Sequence, residues 1–246
     1  MSQRRVVLVT GAGGGLGRAI SLAFAEAGFD VAVNYARSAD EAQRTAEAVR
    51  GCGADARLVQ ADVTEDQAVR RMLAEVVDHF GGLDVLVNNA GATRYVPLAD
   101  LEAVDDELWD RLLSVNLKGP FSCARAAAPH LKHRQGSIVN VSSNSALRPT
   151  GSSIPYMASK AGLLMLTKCL AEALRPAVRA NAVAPGWLQT PWVDKYVPEA
   201  LRARLFAEGA PQPAEVNDVA RAVLFLAETP SINGQTLIID RGQVLI

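Results

Sequence analysis

Seven short runs of β-branched and other apolar residues recur along this chain, and stretches with helical spacing of apolar positions separate them. The runs are Val6 to Thr10, Val31 to Tyr35, Ala56 to Ala61, Val85 to Asn88, Ser137 to Ser142, Val178 to Val183 and Thr236 to Ile239. They are apolar almost throughout, not alternating, which is the pattern of strands covered on both faces. Helical spacing runs at about Leu16 to Ala27, Asp40 to Arg50, Glu65 to Phe80, Glu107 to Leu131, Pro155 to Leu174 and Asn217 to Ala227. Thr64 with Gln67 reads as a capping box for the third of these, and Gly81-Gly82 as its stop. Strand–helix alternation of this kind dictates a parallel α/β sheet with right-handed crossovers, and it puts the ligand crevice at the carboxyl ends of the strands. No Pro/Gly/Ser linker or shift in composition divides the 246 residues, so a single domain spanning 1–246 is expected.

Composition removes other classes. Lys and Arg number 25 against 26 Asp and Glu, for a formal charge of −1, so the broad basic field of a nucleic-acid binder is missing. An apolar fraction of 49% excludes a disordered chain. Cys52, Cys123 and Cys169 are odd in number and far apart, which argues against a disulfide framework and suits a reducing compartment. No apolar run approaches the roughly 20 residues of a membrane span. The expectation is a cytoplasmic enzyme with a small-molecule ligand, no nucleic-acid or membrane partner and no metal. His130 and His133 lack a third ligand and read as the polar end of a helix.

The first strand leads directly into Thr10-Gly11-Ala12-Gly13-Gly14-Gly15-Leu16-Gly17, and a helix begins near Leu16. Glycine suits this place because a side chain would obstruct the turn, the approach of a pyrophosphate to backbone N–H groups and the packing of helix on strand. The Rossmann-type arrangement usually carries an acid at the end of the second strand, to hold the ribose 2′-hydroxyl of NAD. Here that segment reads Asn34-Tyr35-Ala36-Arg37-Ser38, without a carboxylate. Arg37 with the Ser38 hydroxyl suits a 2′-phosphate, which favours NADP(H), with NAD(H) as the alternative.

Three further segments bear on chemistry: Asn88-Asn89-Ala90-Gly91 after the fourth strand, Ser142-Ser143 at the end of the fifth, and Tyr156-Met157-Ala158-Ser159-Lys160 at the start of a helix. Tyr156 and Lys160 lie one turn apart on one helix face. Together with the glycine loop, these motifs resemble the short-chain dehydrogenases/reductases with a Thr-Gly-x-x-x-Gly-x-Gly loop and a Tyr-x-x-x-Lys pair, over almost the whole chain. The resemblance implies a Rossmann-like, doubly wound, seven-stranded parallel sheet flanked by helices. It also implies hydride transfer between a nicotinamide and a carbonyl or secondary alcohol. Tyr156 would be the general acid/base and Lys160 would lower its pKa and bind the nicotinamide ribose. Ser143 would hold the substrate oxygen, and Asn116 would anchor a water beside Lys160. A lysine charge at ~4 Å in an effective dielectric of ~20 supplies about 4 kcal/mol, enough to bring a tyrosine toward neutrality. Ser142, one residue off, is expected on the opposite strand face.

By the same resemblance Gly11, Gly13, Gly14, Gly15, Leu16 and Gly17 would hold the pyrophosphate, with Tyr35, Arg37 and Ser38 at the adenosine ribose. Asp62 and Val63 would contact the adenine, Asn89, Ala90 and Gly91 the nicotinamide side, and Pro185, Gly186 and Thr190 the carboxamide. Asn144, Trp187 and Trp192 are the substrate-side candidates. A 3-oxoacyl thioester, carried on an acyl carrier protein, is the favoured substrate. Pteridines, sugars or polyols and secondary-metabolite ketones stay open, as does a non-enzymatic dinucleotide sensor or scaffold. Arg241 stands where the usual Asp-Gly-Gly has glycine. Members commonly assemble as homotetramers or homodimers through the two long helices before the fifth and sixth strands.

Overall fold

The computed structural model describes residues 4–190, 193, 196–205, 207 and 212–245. Strands β1 (Val6–Val9), β2 (Asp30–Tyr35), β3 (Ala56–Gln60), β4 (Val85–Asn88), β5 (Ser137–Val141), β6 (Arg179–Pro185) and β7 (Thr236–Ile239) form one sheet in the order β3-β2-β1-β4-β5-β6-β7. Every neighbouring pair is parallel. The order reverses direction between β1 and β4, and the crevice opened there at the carboxyl edge is the expected ligand position.

Helices α1 (Gly15–Glu26), α2 (Ala39–Gly51), α3 (Asp66–Phe80), α4 (Asp106–Leu113), α5 (Gly119–Arg134), α6 (Ile154–Leu174), α7 (Glu199–Leu205) and α8 (Val216–Glu228) complete the described architecture. Strand pleating sorts residues between two cores. Val7, Val9, Val31, Val33, Val87 and Val139 pack with Phe24 of α1, Val49 of α2 and Val223 of α8. Val6, Leu8, Ala32, Leu86 and Ile138 face the other way, onto Leu73 of α3, Leu131 of α5 and Leu170 of α6. Both faces are therefore dry over β1, β2, β4, β5 and β6, which is why those strands read as unbroken apolar runs, whereas the edge strand β7 leaves Leu237 and Ile238 exposed although its sequence is equally apolar.

Two features depart from the sequence reading. Thr64 does not cap α3. Its hydroxyl donates to Asp62 Oδ1 at 2.7 Å, and Glu65 is the N-cap without a side-chain bond. The short Asp62–Thr64 turn competes successfully with the cap, as Asp in turns commonly does. The stop at Gly81 does form, in left-handed conformation at φ 76°. Second, the helix expected over Glu107 to Leu131 is two helices joined by a π-helical turn, Ser114–Lys118. Pro120 has no N–H to give the Asn116 carbonyl four residues back, so α-helical bonding cannot run through this point. A wider turn results, in which the Gly119 N–H bonds the Ser114 carbonyl five residues back. Gly119-Pro120 was the legible signal for this break. Helix α7 was not anticipated either; it lies in the stretch that follows Trp187 and links β6 to α8. Among the described residues no helix is long and apolar enough to cross a membrane.

Candidate active site

The glycine loop is held from three directions. The Thr10 hydroxyl donates to the Val87 carbonyl and accepts the N–H groups of Asn89 and Ala90, both at 3.0 Å. In return the Asn89 amide donates to the carbonyls of Thr10 and Gly11, each at 3.0 Å. Asn34 closes the other side: its Oδ1 accepts the Gly11 N–H at 3.2 Å while its Nδ2 donates to the carbonyls of Val59 and Ala61. Asn34 went unnoticed in the sequence, although it is a polar residue inside the otherwise apolar run Val31 to Tyr35.

Glycine is obligatory at two of these positions. Gly11 has φ +62°, and a Cβ there would lie 2.8 Å from the Ala90 Cα. At Gly17 a Cβ would fall 2.3 Å from the Gly11 carbonyl oxygen. Gly13 packs on α2, where its carbonyl accepts the Thr45 hydroxyl at 3.1 Å. A Cβ on Gly14, by contrast, would meet no atom within 4 Å, and this residue serves as the N-cap of α1 without a side-chain cap. Leu16 packs into the core beneath. No acid occupies the first turn of α1, so its N–H groups and positive dipole end face the crevice without a competing side chain. Thr190, returning from β6, approaches Gly15 so that a Cβ there would lie 3.6 Å from its side chain. The cradle fits a dinucleotide pyrophosphate.

At the end of β2, Tyr35 is half-buried while Arg37 and Ser38 are exposed, and Ser38 sits at the N-cap of α2 with its hydroxyl not engaged in capping. Asp62 and Val63 follow β3. Burial pulls the Asp62 carboxyl upward, but hydrogen bonds from the Thr64 N–H and hydroxyl, helped by the charges of Arg111 and Arg37, hold it below the usual range. Val63 is buried against Gly119, where a Cβ would come within 2.8 Å of its side chain.

Between β4 and β5 the structure gathers Asn116, Ser143, Tyr156 and Lys160. Asn116, on the π-helical turn, is fully buried. Its Oδ1 accepts the Ala92 N–H at 2.9 Å and its Nδ2 donates to the Ala92 carbonyl at 3.0 Å and to Ser159 Oγ at 3.1 Å. Ser159 in turn donates to the Tyr156 carbonyl at 2.7 Å. The carboxamide thus ties the Gly91-Ala92 segment to the helix bearing Tyr156 and Lys160. Lys160 is 4% exposed, donates from Nζ to the Val141 carbonyl at 2.9 Å, and stands 5.9 Å from the Tyr156 ring centre. A Cβ on Gly91 would lie 3.8 Å from that Nζ, so the glycine leaves the ammonium its approach to the cleft.

The two serines divide as their strand faces require. Ser142 donates to the Lys160 carbonyl at 2.9 Å and so serves packing. The Ser143 hydroxyl is hydrogen-bonded to Tyr156 and to Ser145. Burial raises the Tyr156 phenol above its ordinary value, and the bond to Ser143 offsets only part of this. Burial also lowers Lys160 to about 8. The phenol is therefore not depressed by its lysine, as the Coulomb argument at ~4 Å expected, because desolvation outweighs a charge that points at the Val141 carbonyl.

Of the substrate-side candidates, Trp192 lies outside the described residues. Asn144 departs from expectation. It is 7% exposed, and its amide donates to Asp240 and to Gln243, which commits it to the C-terminal turn. Pro185 is buried at the end of β6, and Gly186 abuts the same turn. The carbonyl of half-buried Trp187 accepts the Ala214 N–H at 2.9 Å. Arg241 adopts φ +52°, the left-handed region in which glycine is at ease, and its guanidinium lies 3.5 Å from Glu215.

A doubly wound parallel sheet with a glycine cradle at its switch point and, beside it, half-buried Tyr156 next to buried Lys160 defines a nicotinamide-dependent oxidoreductase. More narrowly, the chain belongs to the short-chain dehydrogenase family, whose profile matches residues 5–200. It is 44% identical to the assigned ketoacyl reductase 2 of the granaticin polyketide synthase from Streptomyces violaceoruber, over 98% of this chain and 96% of that one. It is 38% identical to the 3-oxoacyl-[acyl-carrier-protein] reductase of Staphylococcus aureus over the full length of both. Levodione reductase superposes with a TM-score of 0.90 at 29% identity, covering 98% of each chain.

The two glycines give a contrasting pair of outcomes. Gly17→Ala forces a Cβ into backbone and is expected to lose about 1–3 kcal/mol of stability together with dinucleotide affinity. Gly14→Ala should leave both nearly unchanged, read by urea unfolding and by quenching of protein fluorescence on titration with NADPH.

Proposed function

We propose that this protein reduces the keto group of a 3-oxoacyl thioester, carried on an acyl carrier protein, with NADPH as hydride donor. The observation that carries the reading is the Tyr156 phenol, hydrogen-bonded to Ser143 and kept protonated by burial beside Lys160. A protonated phenol is what reduction requires, since the carbonyl oxygen must gain a proton as its carbon gains hydride. The bound nicotinamide supplies that hydride. Ser143 donates a hydrogen bond to the carbonyl oxygen, and Tyr156 gives the proton. The phenolate left behind is stabilised by the Lys160 ammonium, which lies beside the Tyr156 ring with Nζ 5.9 Å from its centre. Asn116 fixes the Ala92 backbone and α6 relative to one another, and the Tyr156 phenolate regains its proton from Lys160, which is reprotonated from solvent through this region. The two reductases acting on ketoacyl substrates, similar over nearly all of this chain, support the thioester.

Arg37 and Ser38, with no acid at the end of β2, support NADPH over NADH. Levodione reductase supports a second reading, a cyclic diketone substrate, which the same chemistry would serve. Phe121 on α5 and Met165 on α6 are exposed apolar side chains. They support a homo-oligomer joined through these helices, a state that light scattering reads directly.

Oxidation of NADPH by acetoacetyl thioesters, compared with cyclic diketones, dihydropteridines and keto-sugars, tests the substrate. Preference for any of the latter overturns the thioester reading. Tyr156→Phe should cost about 10²–10⁴-fold in kcat with NADPH affinity retained; a variant of near wild-type rate would refute the proton donor. Lys160 titrates near 8, so kcat/KM for reduction should be flat at neutral pH and fall as pH rises through that value. Lys160→Arg should move the falling limb upward, and a profile that climbs past pH 9 contradicts the assignment. Arg37→Ala should weaken NADPH by about 1.5–3 kcal/mol, the worth of a hydrogen bond to a charged group, and leave NADH unchanged; equal loss for both would sink the 2′-phosphate contact.

A further inference from the structure

The C-terminal turn after β7 is built around a buried carboxamide that joins three segments of the cleft. Gln243 is 5% exposed. Its Oε1 accepts the Asn144 amide at 3.2 Å and the Trp187 N–H at 3.5 Å, and its Nε2 donates to the Gln212 carbonyl at 3.3 Å. Asn144 directly follows Ser143. Trp187 and Gln212 are the outgoing and returning ends of the segment that links β6 to α8. One side chain therefore connects the serine wall to both ends of the stretch beside it.

The surroundings are shaped to hold that carboxamide. Asp240, 4% exposed, accepts the N–H groups of Gly242 and Val244, each at 2.9 Å, which closes the turn under Gln243. A Cβ on Gly186 would lie 2.7 Å from Gln243 Oε1, so glycine there is what admits the contact. Arg241 carries a left-handed backbone at φ +52°, which a non-glycine residue adopts only against its own preference. Its ion pair with Glu215, the N-cap of α8, gives the turn a second hold on the returning end.

We infer that Gln243 is a positioning residue for the substrate side of the cleft. Through Asn144 it sets the short helical turn Asn144–Ala146, and the Ser145 N–H of that turn donates to Ser143 Oγ at 3.2 Å. Through Trp187 and Gln212 it sets where the neighbouring segment leaves and rejoins the sheet. Among the described residues it makes no hydrogen bond to the glycine cradle, so it leaves the pyrophosphate contacts alone and acts on the carbonyl side of the cleft, where Gly186 also borders the place expected for the nicotinamide carboxamide.

This inference rests on the reductase reading, and the experiment separates the two. Gln243→Leu and Gln243→Glu are compared with wild type for kcat, KM and NADPH affinity, and by hydrogen exchange of the NADPH-bound protein. Gln243→Leu should lower kcat/KM for the carbonyl substrate about tenfold, the loss expected when one partner of a buried hydrogen bond is removed, with NADPH affinity unchanged. Gln243→Glu keeps the acceptor for Asn144 and Trp187 and should recover part of the loss. Exchange should quicken at Ser143 to Leu147 and at Trp187 but not at Gly11 to Gly17. Equal weakening of NADPH and substrate, or faster exchange throughout, means a purely structural residue and overturns the inference. So does an unaltered variant. If Gln243→Leu does not fold, Gln243→Glu decides alone, by raised KM and local exchange against wild-type behaviour. A wild type that reduces no carbonyl compound fails the reductase reading while the exchange pattern still judges Gln243.

Discussion

The carboxyl edge of this sheet depends on buried carboxamides that take over where strand pairing stops. Backbone N–H and C=O groups at the ends of β1 and β3 run out of strand partners, and a buried group without a partner costs about 1–3 kcal/mol. Asn34 and Asn89 satisfy them, each bridging the glycine loop to a neighbouring strand end. Asn116 does the same for Ala92, and Asn144 and Gln243 for the far wall. A carboxamide has a donor and an acceptor on one rigid plane, so it can substitute for a missing strand. The crevice is open to a ligand yet its rim is fixed because these amides, not a continuous ladder, hold it.

Fixing the rim has an electrostatic consequence. Lys160 and Tyr156 sit where few polar groups solvate them, and burial moves both toward their neutral forms. A neutral phenol and an ammonium that titrates near 8 are poised close together, so a proton lost from Tyr156 creates a charge that Lys160 immediately meets. The Val141 carbonyl holds the ammonium in the meantime. The near-zero net charge of the chain conceals this local arrangement.

Much of the fold was legible because the pattern was redundant. Seven apolar runs between helical stretches admit a doubly wound sheet and little else, and each strand was located to within about two residues, the scatter usual for element ends. The motif residues were equally legible, since Tyr156, Lys160 and Ser143 are tied to element ends by their spacing. Two kinds of feature were not. Thr64 chose between two local hydrogen bonds of similar worth, and spacing alone does not decide such a competition. Asn34, Asn144 and Gln243 act through partners more than twenty residues away, so even where a residue stood out locally, as Asn34 does in its apolar run, spacing did not reveal what it holds. Trp187 to Pro213 shows no periodicity strong enough to announce α7.

The π-helical turn at Ser114–Lys118 also acts as a phase shifter. Each residue added to a helix rotates all later positions by about 100°. The extra residue absorbed there lets α4 turn Leu108 and Leu112 toward Val96 and Tyr156, while α5 turns Ala124, Ala127 and Leu131 onto the sheet. A continuous α-helix through the same residues would satisfy one of these faces and misalign the other. The missing N–H of Pro120 therefore lets one stretch of chain serve two surfaces, with Asn116 at the point where the phase changes.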